Sequence, residues 1–282
     1  MNTSRQLTDL IKNKAHNLGL DAQLLLKRYF MEQMLARIAR SEYRNNFILK
    51  GGLLISSLIG LSSRTTQDID ISIVNQTLSI TELEKIMNEV CEIDLADNIK
   101  YELSRIEEIR EEFEYPAIRL SFKVYMDKIV DSLKMDITTG DAITPREINY
   151  GYKMLLEDKI IKLFSYPIET IIAEKMESIL SKNILGTRMR DYYDLYMLEN
   201  LFKDRVNKET QKLALLNTCE KRGTQKVLTD PSDIIADIEN DWGQQNLWKN
   251  YASKNTYVGE VSFADTIKSI KAILKLIDII LS

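Results

Sequence analysis

The spacing of apolar positions changes twice along the chain, and the two changes divide it into three stretches. In residues 5–44, Leu7, Leu10, Ile11, Leu24, Leu25, Tyr29, Met31, Met34, Leu35 and Ile38 recur at helical spacing, with Gly19 and Asp21 marking a break. This predicts a helical entry segment. The second stretch opens with the short apolar run Phe47-Ile48-Leu49, which Gly51-Gly52 interrupts before Leu53–Leu61 resumes with helix-compatible spacing, so strand, glycine turn and helix are expected in that order. Asp68-Ile69-Asp70-Ile71-Ser72-Ile73 then alternates at period two, predicting a strand with three isoleucines on one face and Asp68, Asp70 and Ser72 on the other.

Ser79–Cys91 reads as a helix with a Thr81–Glu84 capping-box spacing, and Tyr101–Ser104, Ala117–Tyr125 and Ser132–Thr138 read as strands. After Pro145 the pattern turns helical, with segments expected at Lys153–Lys162, Ile168–Lys182, Arg188–Phe202, Lys208–Arg222, Pro231–Asp241 and Phe263–Leu281. The expected class is α+β. A small mixed sheet with entry helices occupies residues 1–145, and a largely helical part occupies 146–282.

Composition narrows the chemistry. With 282 residues, 44% of them apolar and 28% charged, and with 10 glycines and 4 prolines, the chain can bury a sizeable core, which excludes disordered and collagen-like classes. One histidine (His16) and two distant cysteines (Cys91, Cys219) exclude a disulfide scaffold, a zinc finger and a histidine-based catalytic triad; His16 suits a helix surface better than a general base. The first residues lack the apolar stretch and cleavage site of a secretory signal, and the longest nearly apolar run, Gly51–Leu61, is far short of the roughly 18 to 20 residues of a membrane span. A cytoplasmic protein without a membrane anchor is expected. Net charge is −4, yet Met1–Arg64 carries ten basic and four acidic residues, Thr65–Pro145 eight and eighteen, and the remainder twenty of each. Such an arrangement suits an acidic centre that holds metal ions beside an edge that meets a polyanion, although solvated faces give the same counts.

An Asp-x-Asp pair on a strand is by itself also what an exposed strand face carries. Sixteen residues before Asp68, however, sits Gly52, where a strand hands over to a helix and leaves backbone N–H groups and a positive helix end facing any approaching anion. A triphosphate fits there, with Asp68 and Asp70 holding the Mg²⁺ that accompanies it. Asp136, in the alternating run Lys134-Met135-Asp136-Ile137-Thr138, is a candidate third carboxylate for a two-metal site. Lys175 falls in the middle of the apolar stripe formed by Ile168, Ile171, Ile172 and Ile179, and a lysine so placed needs a phosphate or carboxylate partner unless it reaches out to solvent. Asp191 and Asp194, three residues apart, are neighbours on one helical face. Trp242 and Trp248 are expected to pack the terminal helices rather than to stack nucleic-acid bases.

As a set, Gly51-Gly52, Arg64-Thr65-Thr66-Gln67-Asp68-Ile69-Asp70, Lys175 and Arg190-Asp191-Tyr192-Tyr193-Asp194-Leu195-Tyr196 resemble the AbiEii/AbiGii toxin family of nucleotidyltransferases, from about Phe47 to Leu201. The resemblance implies a DNA polymerase β-like nucleotidyltransferase core, completed by the helical second half. It also implies transfer of a nucleoside monophosphate from an NTP to RNA, most often the 3′ end of tRNA, in a type IV toxin–antitoxin, abortive-infection setting. Carried over by position, Gly51, Gly52 and Arg64 meet the nucleotide, Asp68 and Asp70 bind metal with Asp136 as a further candidate, and Lys175 balances phosphate charge. Asp191 is a catalytic aspartate with Asp194 its companion. A type IV toxin is opposed without a stable antitoxin complex, so a monomer is expected. One departure concerns the first motif: the wider superfamily has Gly-Ser, whereas Leu53 follows Gly52 here and Ser56 and Ser57 come a turn later. An Asp-x-Asp phosphatase and a non-catalytic RNA- or partner-binding module with this fold are the rival readings.

Overall fold

The computed structural model describes residues 3–74, 79–109 and 117–279. Its strands are β1 (Phe47–Lys50), β2 (Asp68–Ile73), β3 (Lys100–Ile109), β4 (Ala117–Met126), β5 (Ile129–Thr139), β6 (Ile148–Lys153) and β7 (Ile160–Ser165). They form one mixed sheet in the order β3-β4-β5-β2-β1-β7-β6. At its centre β2 runs antiparallel to β1 and parallel to β5. The isoleucines of the period-two run, Ile69, Ile71 and Ile73, are buried as the alternation requires.

Two units make up the chain. The first comprises Met1–Gly140 and Ile148–Ser165 and holds the whole sheet together with helices α1 (Ser4–Leu18), α2 (Ala22–Arg40), α3 (Gly51–Ile59) and α4 (Ile80–Glu92). Thr3 caps α1, and Gly19 ends it in the left-handed region, while Asp21 caps α2 through the amides of Gln23 and Leu24. Helix α2 is buried around most of its circumference, with Tyr29, Phe30, Met31, Met34, Leu35 and Ile38 all in the core. Its buried charges are paired: Arg37 holds both Asp97 oxygens at 2.8 Å and also donates to the Ile99 carbonyl.

The second unit, Asp141–Glu147 and Tyr166–Ser282, is helical: α5 (Ile168–Lys182), α6 (Met189–Phe202), α7 (Lys208–Arg222), α8 (Pro231–Asn240), α9 (Trp242–Lys254) and α10 (Phe263–Leu276). Ile235, Ile238, Ile267, Ile270 and Leu274 fill its core, beside an aromatic group in which Phe263 meets Tyr192 and Trp248. Among the described residues no helix is long and apolar enough to cross a membrane.

Three expectations need correction. Residues Lys153–Lys162, read as helix, are the end of β6, a turn and the start of β7. Met154 and Ile161 are both buried there, a spacing that suits a helix but that two paired strands joined by a turn also produce. The capping box of α4 is Ser79–Glu82, two residues earlier than expected. Helix α9 was not anticipated, since its Gly and amide-rich run has little periodicity. The final expected residues of the last helix, 280 and 281, lie outside the described residues.

Candidate active site

The site in the first unit is built by strand register. Lys50 on β1 lies opposite Asp70 on β2, Asp70 lies opposite Asp136 on β5, and Asp136 lies opposite Arg119 on β4. Residues directly opposite one another share a face of the sheet. Four strands therefore present a row of cation, carboxylate, carboxylate and cation. The neighbouring row places Asp68 opposite Lys134, and Lys134 opposite Ser121. Three carboxylates and three cations thus share this patch of sheet, with Asp70 and Asp136 side by side.

Each carboxylate for which a contact is resolved is firmly held. Arg119 grips Asp136 with both arms, Nε to Oδ1 at 2.8 Å and Nη2 to Oδ2 at 2.7 Å. Asp70 accepts the backbone N–H of Gly52 at 3.0 Å, so the anion at the positive end of α3 is this side chain, reaching across from the adjacent strand. Lys50, the residue before the helix, makes no side-chain cap of its own. Burial pushes the Asp70 carboxyl above the usual range and the nearby charge of Asp136 adds to this, while the Gly52 amide, Lys50 and Arg64 pull the other way.

Both glycines are sterically required. Gly51 has φ +59°, and a β-carbon there would lie 2.1 Å from Asp70 Oδ2. A β-carbon on Gly52 would stand 2.6 Å from Arg64 Nη1 and 2.7 Å from Thr66 Oγ1. Arg64 is itself buried and donates to the Gly52 carbonyl at 2.8 Å. Its own carbonyl accepts the Ser56 hydroxyl, to which Arg28 donates at 3.1 Å. Arg28 pairs with Glu32, which also accepts Tyr152 and the amide of Leu155. This chain ties α2, α3 and the stretch before β2 together behind the glycines. Ser57 is engaged with the Leu54 carbonyl and Tyr150, so the two serines after the glycine motif both serve the scaffold.

In the second unit Lys175 has two carboxylate partners, Asp191 at 2.6 Å and Asp194 at 2.7 Å, and all three side chains are nearly or fully buried. The apolar stripe on α5 delivers the lysine, and the three-residue spacing on α6 delivers both acids to it. Arg188 adds a contact to Asp191 at 3.1 Å. Burial pushes the Asp191 carboxyl up, but Lys175 and Arg188 prevail and hold it below the ordinary carboxylate range.

An all-oxygen set on one strand face, Asp68 and Asp70, has the hard donors that suit Mg²⁺. Among the described residues no three acidic, histidine or cysteine side chains stand grouped as a metal cage, and Asp136 is committed to Arg119. A carboxylate gripped in this way still keeps one lone pair on each oxygen.

The model of the family "Nucleotidyl transferase AbiEii toxin, Type IV TA system" matches residues 33–271, a span that contains every residue named in both clusters except Arg28 and Glu32. The chain belongs to the AbiEii family. Two solved structures share its fold: a candidate nucleotidyltransferase from H. pylori, 18% identical, with a TM-score of 0.50 over 92% of this chain and 98% of that one; and JHP933 from Helicobacter pylori, 19% identical, with a TM-score of 0.51 over 92% and 95%. No curated protein matches the chain.

Within this chain, Gly51, Gly52, Arg64, Asp68, Asp70 and Asp136 thus fall on one patch of the first unit, and Lys175, Asp191 and Asp194 form one cluster in the second. Sequence reasoning missed Lys50, Arg119 and Arg28. Lys50 adjoins the glycine pair and could have been included on that ground, whereas nothing local marks Arg119, whose place follows from the pairing of β4 with β5.

Proposed function

We propose that this AbiEii-family chain transfers a nucleoside monophosphate from an NTP to the 3′ end of RNA, with tRNA as the acceptor, and so blocks translation during abortive infection. The observation that carries the reading is the hydrogen bond from Gly52 N–H to Asp70 Oδ2 at 3.0 Å. It puts backbone donors at a helix N-terminus, the natural place for phosphate, within one contact of carboxylates of the kind that hold divalent metal.

Asp68 and Asp70 hold Mg²⁺ in this reading, with Asp136 as a third ligand; the metal supplies charge neutralisation at the phosphate oxygens and a more acidic attacking hydroxyl. Gly51 and Gly52 let the triphosphate approach the backbone, and Arg64 fixes the Gly52 peptide. Lys175 balances triphosphate charge, while Asp191 and Asp194 hold its ammonium in one position. The protein works in the cytoplasm as a monomer without a stable antitoxin complex. A phosphatase reading is less well supported, because Asp68 and Asp70 lie on β2, after the β1–α3 unit, instead of on a first strand.

Incubation of the protein with Mg²⁺, total tRNA and each labelled NTP, beside an Asp68→Ala/Asp70→Ala variant, tests this. Label entering tRNA with the parent and absent with the variant is the expected result. No label with any NTP, from folded protein, would return the field to the phosphatase and the binding module, and release of inorganic phosphate from a generic ester would choose between them.

A further inference from the structure

The two most exposed large apolar side chains among the described residues are Leu185 (84%) and Trp242 (77%). They belong to elements that are fastened together. Leu185 ends a single 3-10 turn, Asn183–Leu185, which leaves α5 through Asn183 at φ +46°. Gln244, one residue beyond Gly243 from Trp242, is buried, and its side-chain amide donates to the carbonyls of Ile184 at 2.7 Å and Gly186 at 2.8 Å, on either side of Leu185. The turn is therefore built to present Ile184 and Leu185 outward, and the buried amide leaves Trp242 on the opposite side of its helix, in solvent. This corrects the expectation that both tryptophans pack: Trp248 does, against Tyr251 and Phe263, and Trp242 does not.

The two segments that carry these apolar tips are themselves basic. Residues 182–190, Lys-Asn-Ile-Leu-Gly-Thr-Arg-Met-Arg, hold three basic residues and no acid, and α9 holds Lys249 and Lys254 and no acid. Trp242, Gln245 and Lys249 are all exposed at one-turn and two-turn spacing on α9. Acids border this surface on the side of α8: Asp241 caps α9 at the Gln244 amide, Glu239 is paired with Lys271, and Asp233 and Asp237 are exposed on α8. The basic segment also runs directly into Asp191 of the Lys175 cluster, and Arg188 touches that aspartate.

Exposed flat and apolar side chains set among lysines and arginines are what an unpaired nucleic-acid strand requires, with faces for its bases and cations for its phosphates. We propose that this surface docks the single-stranded end of the RNA acceptor, with bases stacking on Trp242 and Leu185 and phosphates lying along Lys182, Arg190 and Lys249. The proposal rests on the RNA-acceptor reading above and adds where that acceptor is gripped.

Fluorescence makes the test direct, because the chain has two tryptophans and only Trp242 is exposed. A short unstructured RNA oligonucleotide, added without NTP, is expected to quench and shield the exposed indole. A Leu185→Ser/Trp242→Ala variant, which lacks the reporting indole, is expected to bind a dye-labelled copy of the oligonucleotide at least about tenfold more weakly than the parent by fluorescence anisotropy. An Arg190→Gln variant is expected to weaken binding and to flatten its salt dependence. Both substituted side chains of the double variant are solvent-exposed, and a Trp242→Phe variant, which keeps an aromatic face, should retain most of the affinity.

Equal oligonucleotide affinity in parent and double variant would overturn the proposal, as would quenching by duplex RNA as strong as by single strands. An indole that ignores RNA and responds only to raised protein concentration would assign the surface to self-association instead. If the parent labels tRNA and the double variant labels it equally well, the docking inference falls and the transferase reading stands. Quenching by RNA from a parent that labels none would have the reverse meaning.

Discussion

Arg119 on β4 meets Asp136 on β5 through two parallel hydrogen bonds, at 2.8 and 2.7 Å, in the same row of the sheet that carries Asp70. The fork fixes the plane of the Asp136 carboxylate and supplies a positive charge where two carboxylates stand side by side. Replacing Arg119 with alanine is expected to lower nucleotidyl transfer by about 10- to 100-fold, the usual cost of losing a group that orients a ligand. Arg119→Lys keeps the charge without the fork and should recover only a small part. Transferase rates of both variants, compared over a Mg²⁺ titration, check this; parent-like rates for Arg119→Ala would remove Asp136 from the site.

Gly51 lies against the same row from the side of α3. Its positive φ costs an alanine about 1 to 2 kcal/mol, and the added β-carbon would stand 2.1 Å from the Asp70 carboxylate. Gly51→Ala should therefore destabilise the chain by about 2 kcal/mol or more and also break the contact from Gly52 to Asp70. Urea unfolding reads the first effect, and the loss of transfer in protein that remains folded reads the second.

How far these contacts were legible in the sequence depended on whether they are local. The face shared by Asp68 and Asp70 follows from period two on one strand, and the meeting of Asp191 with Asp194 follows from one helical turn, so both could be read directly. A lysine inside an apolar stripe announces its need for an anionic partner, and for Lys175 that partner is a carboxylate pair. Arg119 and Lys50 owe their positions to register between strands far apart in sequence, which no single-strand pattern encodes. The buried run from Arg28 through Ser56 to the Arg64 carbonyl was hidden for the same reason. Strands β6 and β7 were misread because apolar residues on two short paired strands can mimic one helical stripe.

Lys175 is held between two buried carboxylates, so its removal leaves like charges side by side, with the half-exposed Arg188 on Asp191 as the remaining cation described against them. Lys175→Met is expected to cost about 3 to 5 kcal/mol of stability at neutral pH, in addition to any loss of activity. The pH dependence carries the sign. In the parent, Asp191 has a depressed folded pKa, so its stabilising contribution is complete above the ordinary carboxylate value and is lost as pH falls through the depressed one. Without the lysine, burial and the neighbouring Asp194 dominate and the folded pKa moves above the ordinary value. The variant then regains stability on acidification, and the gap from the parent should narrow as pH falls towards about 4. Denaturant midpoints across that range decide it; a gap independent of pH would mean that the ammonium does not counter these acids.

Asp70 shows the opposite balance. Burial and the neighbouring Asp136 raise its folded pKa above the unfolded value, so the stability present at low pH is eroded as pH rises through the folded pKa, and the charge on this side chain opposes folding. Asn at this position keeps an oxygen able to accept the Gly52 amide while removing the charge beside Asp136. Asp70→Asn is therefore expected to gain about 1 kcal/mol of stability at neutral pH and to lose transferase activity, as happens where function maintains a charge that folding disfavours. The comparison of melting temperature with labelled-NTP transfer in one preparation tests both halves. A variant that is less stable than the parent would show that Lys50 and Arg64 outweigh the cost of burying the charge, and that Asp70 is held by its cations before any nucleotide arrives.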